Sequence, residues 1–376
     1  MIKKNQIMRI YGTNYKQMTT ELLEKSALCE LIPKHNSTIG IKPNLVTASP
    51  AEFGATTHPE IVAAIIEYLQ KHGFSDIVIA EGSWVGDRTA DAFKYCGYEE
   101  LADHYGVELF DTQKDSSSVV DCGDGFKLNI CDITKRIDFL INVPVLKGHC
   151  QTRMTCALKN MKGLIPNSEK RRFHTIGLHE PIAYLQQAIR QDFIVVDHIC
   201  GDLDFEEGGN PITKNCIMVS RDPVLVDSLA CSILGLKPQA VKYLMLAEAL
   251  GTGSTNLDKA SIIDIGGSSS VHDEYHQSIL DVSYSTDEVD SCSACYASLT
   301  AALIRLEREG LLEKLPERIS IGQGFIGKTG KLGIGKCTAL FDYNIPGCPP
   351  DSDAIYESLK SYICDPSQHE YRSDFL

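Results

Sequence analysis

The chain has 376 residues, of which 43% are hydrophobic and 23% charged, and this composition and length fit one large globular domain with an appendage. Its formal net charge of −14 argues against nonspecific nucleic-acid binding. The N-terminal lysines are not followed by an apolar stretch, and no apolar run is long enough to cross a bilayer. We therefore expect a cytoplasmic protein that binds neither nucleic acid nor membrane.

Residues 1–285 alternate between strand-like and helix-like patterns. Short β-rich runs occur at STIGIKPN, DIVIAEG, DFLINVPVL, DFIVVDHI and NCIMVS. Helical patterns occur at PEIVAAIIEYLQKHG, EPIAYLQQAIR and DPVLVDSLACSILG, and the first of these has Pro59 near its start and Gly73 just past its end. This alternation predicts an α/β domain with a mostly parallel sheet and helices on both faces.

A polar stretch at 267–291 predicts a linker rich in loops. Beyond it lie a helical pattern, YASLTAALIRLEREGLLEKL, then a glycine-rich segment and a tail. We assign residues 286–376 to a separate, small C-terminal module.

Polar side chains follow several of the predicted strands. Lys42 and Asn44 follow one strand, Lys147 and His149 another, and Asp197 a third. Because ligands of open α/β sheets bind beyond the carboxyl ends of the strands, these side chains are candidate ligand-binding groups.

The segment from Lys147 to His174 reverses the overall charge of the chain. It holds seven Lys or Arg residues against one acid, Glu169, and it predicts a helix start at TRMTCALKNMK whose amides would face an anion. We expect a pocket here for a carboxylate or phosphate, although a solvated basic helix face is the commoner origin of such a run. The candidate catalytic residues are Lys147, His149 and His174. The candidate ligand-binding residues are Lys42, Asn44, Arg153, Lys159, Lys162, Arg172 and Asp197.

An acidic segment, GDLDFEEGGNP, follows Asp197. Its carboxylates could bind a hard cation, but they lack the spacing of a calcium loop, so a solvated turn is the favoured interpretation. The turn EGSWVGDR matches neither nucleotide-binding glycine pattern.

Four cysteines in the last quarter of the chain predict a [4Fe–4S] cluster. Cys292 and Cys295 form a CxxC pair before a helix, Cys337 follows GKTGKLGIGK, and Cys348 lies in IPGCPP. Four thiols without histidine, a ligand followed by proline, and nearby glycines are typical of cluster sites. Structural zinc is the alternative, but zinc sites more often use two CxxC pairs.

Most of residues 38–255 resembles domain-of-unknown-function family 362. The resemblance rests on IKPNLV, INVPVLKGH, TRMTCALKNMKGLIP, RRFH, VVDHICGD with EGGNP, and VSRDPVLVDSLA. Some members of that family are joined to iron–sulfur modules, so the resemblance implies a redox role associated with a cluster.

Two narrower resemblances add to this one. The widely spaced cysteines ending in PGCPP are similar to the cluster-binding end of hydrogenase small subunits. Thr57, His58 and Pro59 and the turn Lys147-Gly148-His149 resemble features of the nickel-dependent lactate racemase fold.

The resulting hypothesis is an iron–sulfur oxidoreductase or electron-transfer component that acts on or near a small anionic ligand. The alternatives are an isomerase or lyase of a small carboxylic acid with a structural or Lewis-acid cluster, and a scaffold that carries a cluster. A redox partner protein and a second copy of the chain are the other candidate partners.

Overall fold

The computed structural model describes residues 1–266 and 278–365. They divide into two units, Met1–Tyr275 and His276–Leu376. The boundary expected from the sequence lies between residues 285 and 286. The predicted linker at 267–291 lies partly outside the described residues, and its described part contains a short helix and a strand.

The first unit contains a central sheet and two small hairpins. Its strands are β1 (Gln6–Tyr11), β2 (Ile39–Pro43), β3 (Ile77–Glu81), β4 (Glu108–Asp111), β5 (Ser117–Asp121), β6 (Lys127–Cys131), β7 (Phe139–Val143), β8 (Lys147–His149), β9 (Arg153–Thr155), β10 (Phe193–Asp202), β11 (Pro211–Ser220) and β12 (Ser261–Gly266).

The central sheet has eight strands within residues 1–266, in the order β12-β1-β11-β10-β7-β2-β3-β4. The neighbours from β10 through β7, β2 and β3 to β4 are parallel, as are β1 and β12. In this described sheet β11 alone runs antiparallel to its neighbours. The predicted α/β fold with a mostly parallel sheet is confirmed.

Helices of the first unit surround the sheet. They are α1 (Tyr15–Ser26), α2 (Pro59–Lys71), α3 (Thr89–Tyr95), α4 (Tyr98–Tyr105), α5 (Ala157–Asn160), α6 (Asn167–Ile176), α7 (His179–Ala188), α8 (Pro223–Ile233) and α9 (Lys242–Ala249).

Successive side chains of the strands enter different cores, because they point to opposite faces of the sheet. Phe139, Ile141 and Val143 of β7 pack in a cluster with residues of α1, α2 and α4. Leu140 packs in a second cluster with residues of α7, α8 and α9. Because helices cover both faces of the sheet, the polar side chains of these strands lie mainly at the strand ends, where the candidate site is found.

The second unit has short elements. They are α10 (Ser278–Val282), β13 (Thr286–Glu288), α11 (Ser293–Arg308), β14 (Ile319–Ile321), β15 (Leu332–Ile334), β16 (Tyr343–Ile345) and α12 (Ser352–Cys364). The strands form a parallel sheet in the order β13-β14-β15-β16. Helices α11 and α12 pack together, and Arg305 lies over the ring of Tyr356, 3.8 Å from its centroid.

Among the described residues, no helix combines the length and the apolar character needed to span a bilayer.

Candidate functional site

A lysine-lined pocket lies where β2 and β3 end, beneath α5, α6 and the turn that joins them. It encloses about 80 Å³ and opens to solvent. This space is smaller than the cavity of about 150 Å³ that accepts benzene in another protein, so it suits a small ligand or one end of a larger one. The lining residues are Lys42, Asn44, Val46, Glu81, Gly82, Ser83, Trp84, Val85, Thr155, Lys159, Asn160, Lys162, Gly163, Lys170, His174 and Glu206.

A buried ion pair forms the floor of the pocket. Lys42 Nζ lies 2.6 Å from Glu81 Oε2 and donates to the carbonyl of Pro43 at 2.6 Å. The Glu81 carboxylate also accepts from the amides of Leu45 and Gly82, at 2.9 and 2.7 Å. Burial lowers the pKa of Lys42, although Glu81 opposes this effect. The hydrogen bonds therefore compensate the desolvated charges and hold the ends of β2 and β3 together.

The pair requires a glycine above it. A Cβ atom at position 163 would lie 2.0 Å from Glu81 Oε1 and 2.5 Å from Lys42 Nζ. Only Gly163 lets the backbone pass this close to the ion pair, so any side chain there would displace it.

Glu206 binds three basic side chains on one side of the pocket. Its carboxylate lies 2.6 Å from Lys159 Nζ and 2.6 Å from His149 Nε2, and its carbonyl accepts from Lys147 Nζ at 2.8 Å. Lys147 also donates to Asn44 Oδ1 at 3.3 Å. Although burial opposes ionisation, Lys159, His149 and Lys147 hold the pKa of Glu206 well below its usual range. The predicted solvated turn is wrong for this residue, because its carboxylate turns inward to Lys159 and His149.

Two lysines at the pocket have no carboxylate within ion-pair distance among the described residues. Lys170 Nζ donates to the carbonyls of Gly82 and Ser83, at 2.9 and 2.8 Å. Lys162 makes no hydrogen bond or ion pair with a described residue, and its ammonium lies 5.9 Å from the ring centroid of Phe173. Burial lowers the pKa of Lys162 to about 7 and that of Lys170 to about 8. The pocket therefore has cationic groups available to an anion.

The candidate histidines are neutral at physiological pH. Burial and the Lys159 cation lower the pKa of His149 to about 4, and burial and Lys162 lower that of His174 to about 3. His149 Nδ1 accepts from the amides of Gln151 and Thr152, at 3.1 and 3.2 Å, so Nε2 carries the proton and donates it to Glu206. His149 therefore reaches the pocket through Glu206, whereas His174 lines it directly.

Three predicted ligand-binding residues do not line the pocket. Arg172 binds Glu169 and the carbonyl of Lys127. Arg153 lies in β9 with a φ of 70°. Asp197 binds the ring of His58 at 2.8 Å, and although burial opposes the charge, this carboxylate raises the pKa of His58 to about 11. Lys42, Asn44, Lys147, His149, His174, Lys159 and Lys162 are the predicted residues that meet at or beside the pocket.

The expected anion site at a helix N-terminus does not form. Helix α5 is short, and its first amides, of Ala157 and Leu158, donate to the carboxylate of Asp227 at 2.7 and 3.1 Å. Because Asp227 already satisfies these donors, the lysine side chains supply the positive charge of the pocket.

The residues predicted from the sequence did not include several polar side chains that line the pocket, among them Glu81, Asn160, Lys170 and Glu206. Glu81 is the last residue of a buried strand and Lys42 the last but one of another, so the position of Glu81 was a usable signal. Lys170 was visible within the basic run. Glu206 comes from a loop, and no periodicity indicated that it would fold back.

The four C-terminal cysteines lie near one another in the second unit. Cys292 and Cys295 share a hydrogen bond that lowers the pKa of Cys292 to about 6. The pKa of Cys295 is raised by that bond, by burial, and by the charges of Cys292, Cys348 and Cys337. All four are free thiols, and Gln323 Nε2 donates to Cys292 Sγ at 3.7 Å. Four neighbouring thiols with an N–H···S bond match the donor set of a [4Fe–4S] cluster.

The thiols do not form a closed metal cage. Within residues 1–266 and 278–365, no group of three or more His, Cys, Asp or Glu side chains has a geometry that could hold a metal ion. The loop beside Cys348 is tightly folded, since a Cβ at Gly347, where φ is 141°, would lie 2.3 Å from Pro350 Cα.

Comparisons with known proteins show distant relatives. A thylakoid-associated protein of Synechocystis sp. is 28% identical over 230 residues, which cover 57% of this chain and 68% of that protein. The lactate racemase apoprotein of Thermoanaerobacterium thermosaccharolyticum is similar with a TM-score of 0.38 and 13% identity, covering 57% of this chain and 54% of that one. A protein from Thermotoga maritima is similar with a TM-score of 0.37 and 14% identity, covering 64% of this chain and 60% of that one. This chain thus spans less than two thirds of either solved structure.

Residues 39–232 match the family described as domain of unknown function DUF362. This match spans β2 to nearly all of α8, and it includes Lys42, Glu81, the basic segment and the loop that carries Glu206. The chain belongs to the DUF362 family.

Proposed function

We propose that the protein is an iron–sulfur protein whose first unit binds a small anionic ligand, a carboxylate or phosphate, in the lysine-lined pocket. The observation that carries the ligand is Lys162, a lysine that lines the pocket and forms no ion pair or hydrogen bond with a described residue. Lys42 is paired with Glu81, and Lys159 with Glu206, so these two ion pairs define the shape of the pocket. Lys162 and Lys170 supply its net charge.

The same lysines are suited to move a proton. A group with a pKa near 7 is populated in both forms at neutral pH, which is the condition for efficient general acid–base catalysis. Lys162, at about 7, meets this condition, and a bound anion would favour its charged form.

The ligand proposal is tested by thermal unfolding of the full chain with increasing inorganic phosphate or lactate. We expect the midpoint to rise with ligand concentration, and to rise less in Lys162→Gln than in the wild type. Lys34→Gln is the matched control, since Lys34 is an exposed lysine away from the pocket. An equal rise in wild type and Lys162→Gln would contradict the proposal.

The second part of the proposal is a [4Fe–4S] cluster bound by Cys292, Cys295, Cys337 and Cys348. The mutual electrostatic influence of these thiols supports it. A bound cluster would supply one-electron chemistry or a Lewis-acid iron.

The cluster is tested by anaerobic purification with iron, sulfide and zinc analysis and electron paramagnetic resonance. We expect about four irons per chain, and loss of iron and of the signal in Cys348→Ala. Cys364→Ala is the matched control, because Cys364 is also an exposed thiol but lies in α12. A colourless wild-type protein that contains one zinc per chain would show that the site holds structural zinc and not a cluster.

We infer an oxidoreductase or electron-transfer role as the first hypothesis for the whole protein. An isomerase or lyase of a small acid is the alternative, and it predicts turnover without an electron donor and loss of activity in Lys147→Ala or His149→Ala. A cluster-carrying scaffold predicts transfer of the cluster to an apo acceptor, and a cluster that is never transferred would exclude it.

A further inference from the structure

A second polar cavity lies in the first unit, where β10 begins and the antiparallel β11 ends. Its volume is about 380 Å³. The lysine-lined pocket lies at the carboxyl ends of β2 and β3, so the two openings are on different edges of the sheet. The lining residues are Lys4, Gln186, Gln187, Ile189, Arg190, Gln191, Asp192, Arg221, Pro223, Gly251 and Thr252.

Cations outnumber acids in the lining of this cavity. Lys4, Arg190 and Arg221 face one carboxylate, that of Asp192, which pairs with Arg190 at 2.7 Å. Arg221 Nη1 donates to the carbonyl of Ile2 at 3.4 Å, but its Nε is buried and has no hydrogen-bond partner among the described residues. A buried donor without an acceptor is costly, so the unpaired Nε marks Arg221 as a side chain of this cavity that lacks a full set of partners.

Buried side-chain amides connect this cavity with the lysine-lined pocket. Gln191, which lines the cavity, accepts from Asn142 Nδ2 at 2.6 Å. Asn142 Oδ1 accepts from Asn160 Nδ2 at 2.7 Å, and Asn160 Oδ1 accepts from Lys42 Nζ at 3.5 Å. Asn160 and Lys42 line the pocket, so three hydrogen bonds join the two sites.

The bonds of this amide chain all point the same way. Each amide accepts through its oxygen from the pocket side and donates through its nitrogen toward the cavity, ending at Gln191 Nε2, which donates to Gln186 Oε1 at 2.6 Å. Asn142 is fully buried, Asn160 is 4% exposed and Gln191 is 8% exposed. Aligned hydrogen bonds in a medium of low dielectric polarise one another, so a change at one end affects the other.

We propose that the cavity at Arg221 is a second anion site, for phosphate or a phosphorylated small molecule, whose occupancy is coupled to the lysine-lined pocket through Gln191, Asn142 and Asn160. The ligand accepts from the guanidinium of Arg221 and from the remaining N–H of Gln191 Nε2. It strengthens the bonds along the chain and thereby holds Asn160 Oδ1 against Lys42. The coupling is reciprocal, so a ligand in either site changes the affinity of the other. The coupling rests on the proposed function of the pocket, whereas the second site does not.

The test uses side-chain amide NMR of the full chain in the Lys162→Gln background, which removes the proposed ligand cation of the first pocket. The probe is inorganic phosphate, and the Asn160 and Gln191 signals are assigned from their loss in Asn160→Asp and Gln191→Glu. We expect phosphate to shift both signals. In Arg221→Gln neither should shift. In Asn142→Leu the Gln191 signal should still shift and the Asn160 signal should not.

A second variant guards against misfolding of Asn142→Leu. Gln191→Met removes the side-chain amide that begins the hydrogen-bonded series at the edge of the cavity. The Asn160 signal should then not shift when phosphate is added. Circular dichroism reports whether each variant is folded, and Lys34→Gln serves as the surface-charge control.

The outcomes separate the two proposals. Phosphate shifts that persist in Arg221→Gln, or no shift of Gln191 at all, would overturn the second site. A shift of Asn160 that survives both Asn142→Leu and Gln191→Met would overturn the coupling. Because the Lys162→Gln background lacks the proposed cation of the first pocket, failure of the ligand proposal leaves these readouts interpretable.

Discussion

The two candidate sites of this protein are built in different ways. In the first unit the charged side chains at the pocket are held by hydrogen bonds between strands that also bury two extensive cores. In the second unit Cys292 and Cys295 lie at the start of α11, Cys337 lies in a single helical turn and Cys348 in a loop. All four are half-buried or exposed, and each strand of the sheet has three residues. The pocket is therefore already shaped by protein contacts, whereas the proposed cluster would be needed to complete the cysteine site.

This difference leads to separate expectations for stability. A preformed site loses stability when one of its own charges is removed, because a buried partner is left behind. A site completed by a metal loses its structure when the metal is withheld, since metal-binding free energy is then part of the folding free energy. Four measurements sharpen or break the contrast.

The largest expected effect follows loss of the proposed cluster. Cys337→Ala should abolish iron binding and raise hydrogen exchange across residues 278–365, because the short strands of this unit have few other constraints. Exchange in residues 1–266 should stay as in the wild type. Cys364→Ala is the control. If hydrogen exchange in the second unit is the same with and without iron, the two sites do not differ in their dependence on a bound group.

A large effect is also expected in the floor of the pocket. Glu81→Gln leaves Lys42 buried beside a neutral partner, which should lower the free energy of unfolding by about 3–5 kcal/mol. Glu108→Gln breaks the exposed pair with Arg136 and should cost no more than about 1 kcal/mol. Urea denaturation measures both free energies of unfolding. Equal losses would show that the buried pair contributes no more to stability than the exposed one.

The His58–Asp197 pair should make stability depend on pH. The pKa of His58 is raised from 6.5 to about 11, so its contribution is complete below pH 6.5 and is lost as the pH rises toward 11. The loss is at most about 1.4 kcal/mol per pH unit. Urea titrations at pH 6, 8 and 10 should show this slope in the wild type and a flatter one in Asp197→Asn. Equal slopes would mean that the pair does not control this dependence.

The smallest effect concerns the pH dependence of anion binding. Because the pKa of Lys162 is lowered to about 7, phosphate binding above pH 7 requires proton uptake. We expect the affinity to fall by up to about tenfold between pH 7.5 and 8.5, apart from the ionisation of phosphate itself. Calorimetry in buffers of different ionisation enthalpy measures the uptake, and a binding reaction without proton exchange would contradict the expectation.

Much of the sheet was predictable from periodicity. The runs around IGI, IVIA, LINV and IVV are continuous and apolar, as buried parallel strands require, and they became β2, β3, β7 and β10. The direction of β11 was not predictable, because a strand pattern is the same in either orientation. Strand β1 has a mixed sequence, QIMRIY, and its partners are distant in the chain.

The site was predictable where it follows strand ends and not where loops fold back. Lys42, Lys159 and Lys162 could be assigned from position and spacing. Arg172 could not be told from its neighbours, since a basic run does not reveal which side chain meets Glu169. The inward turn of Glu206 depends on contacts made after folding, which no local pattern encodes.

The position of β1 has a consequence for synthesis of the protein. This strand lies between β11 and β12, and Ser220 Oγ donates to the carbonyl of Gln6 across 214 positions of the chain. Strand β1 precedes both of its neighbours in the chain, so during translation it has no partner strand until synthesis has passed Ser220. Through that interval its unpaired edge is open to chaperones or to other nascent chains. The family match begins at residue 39 and therefore does not include β1, whose partner strands lie far along the chain.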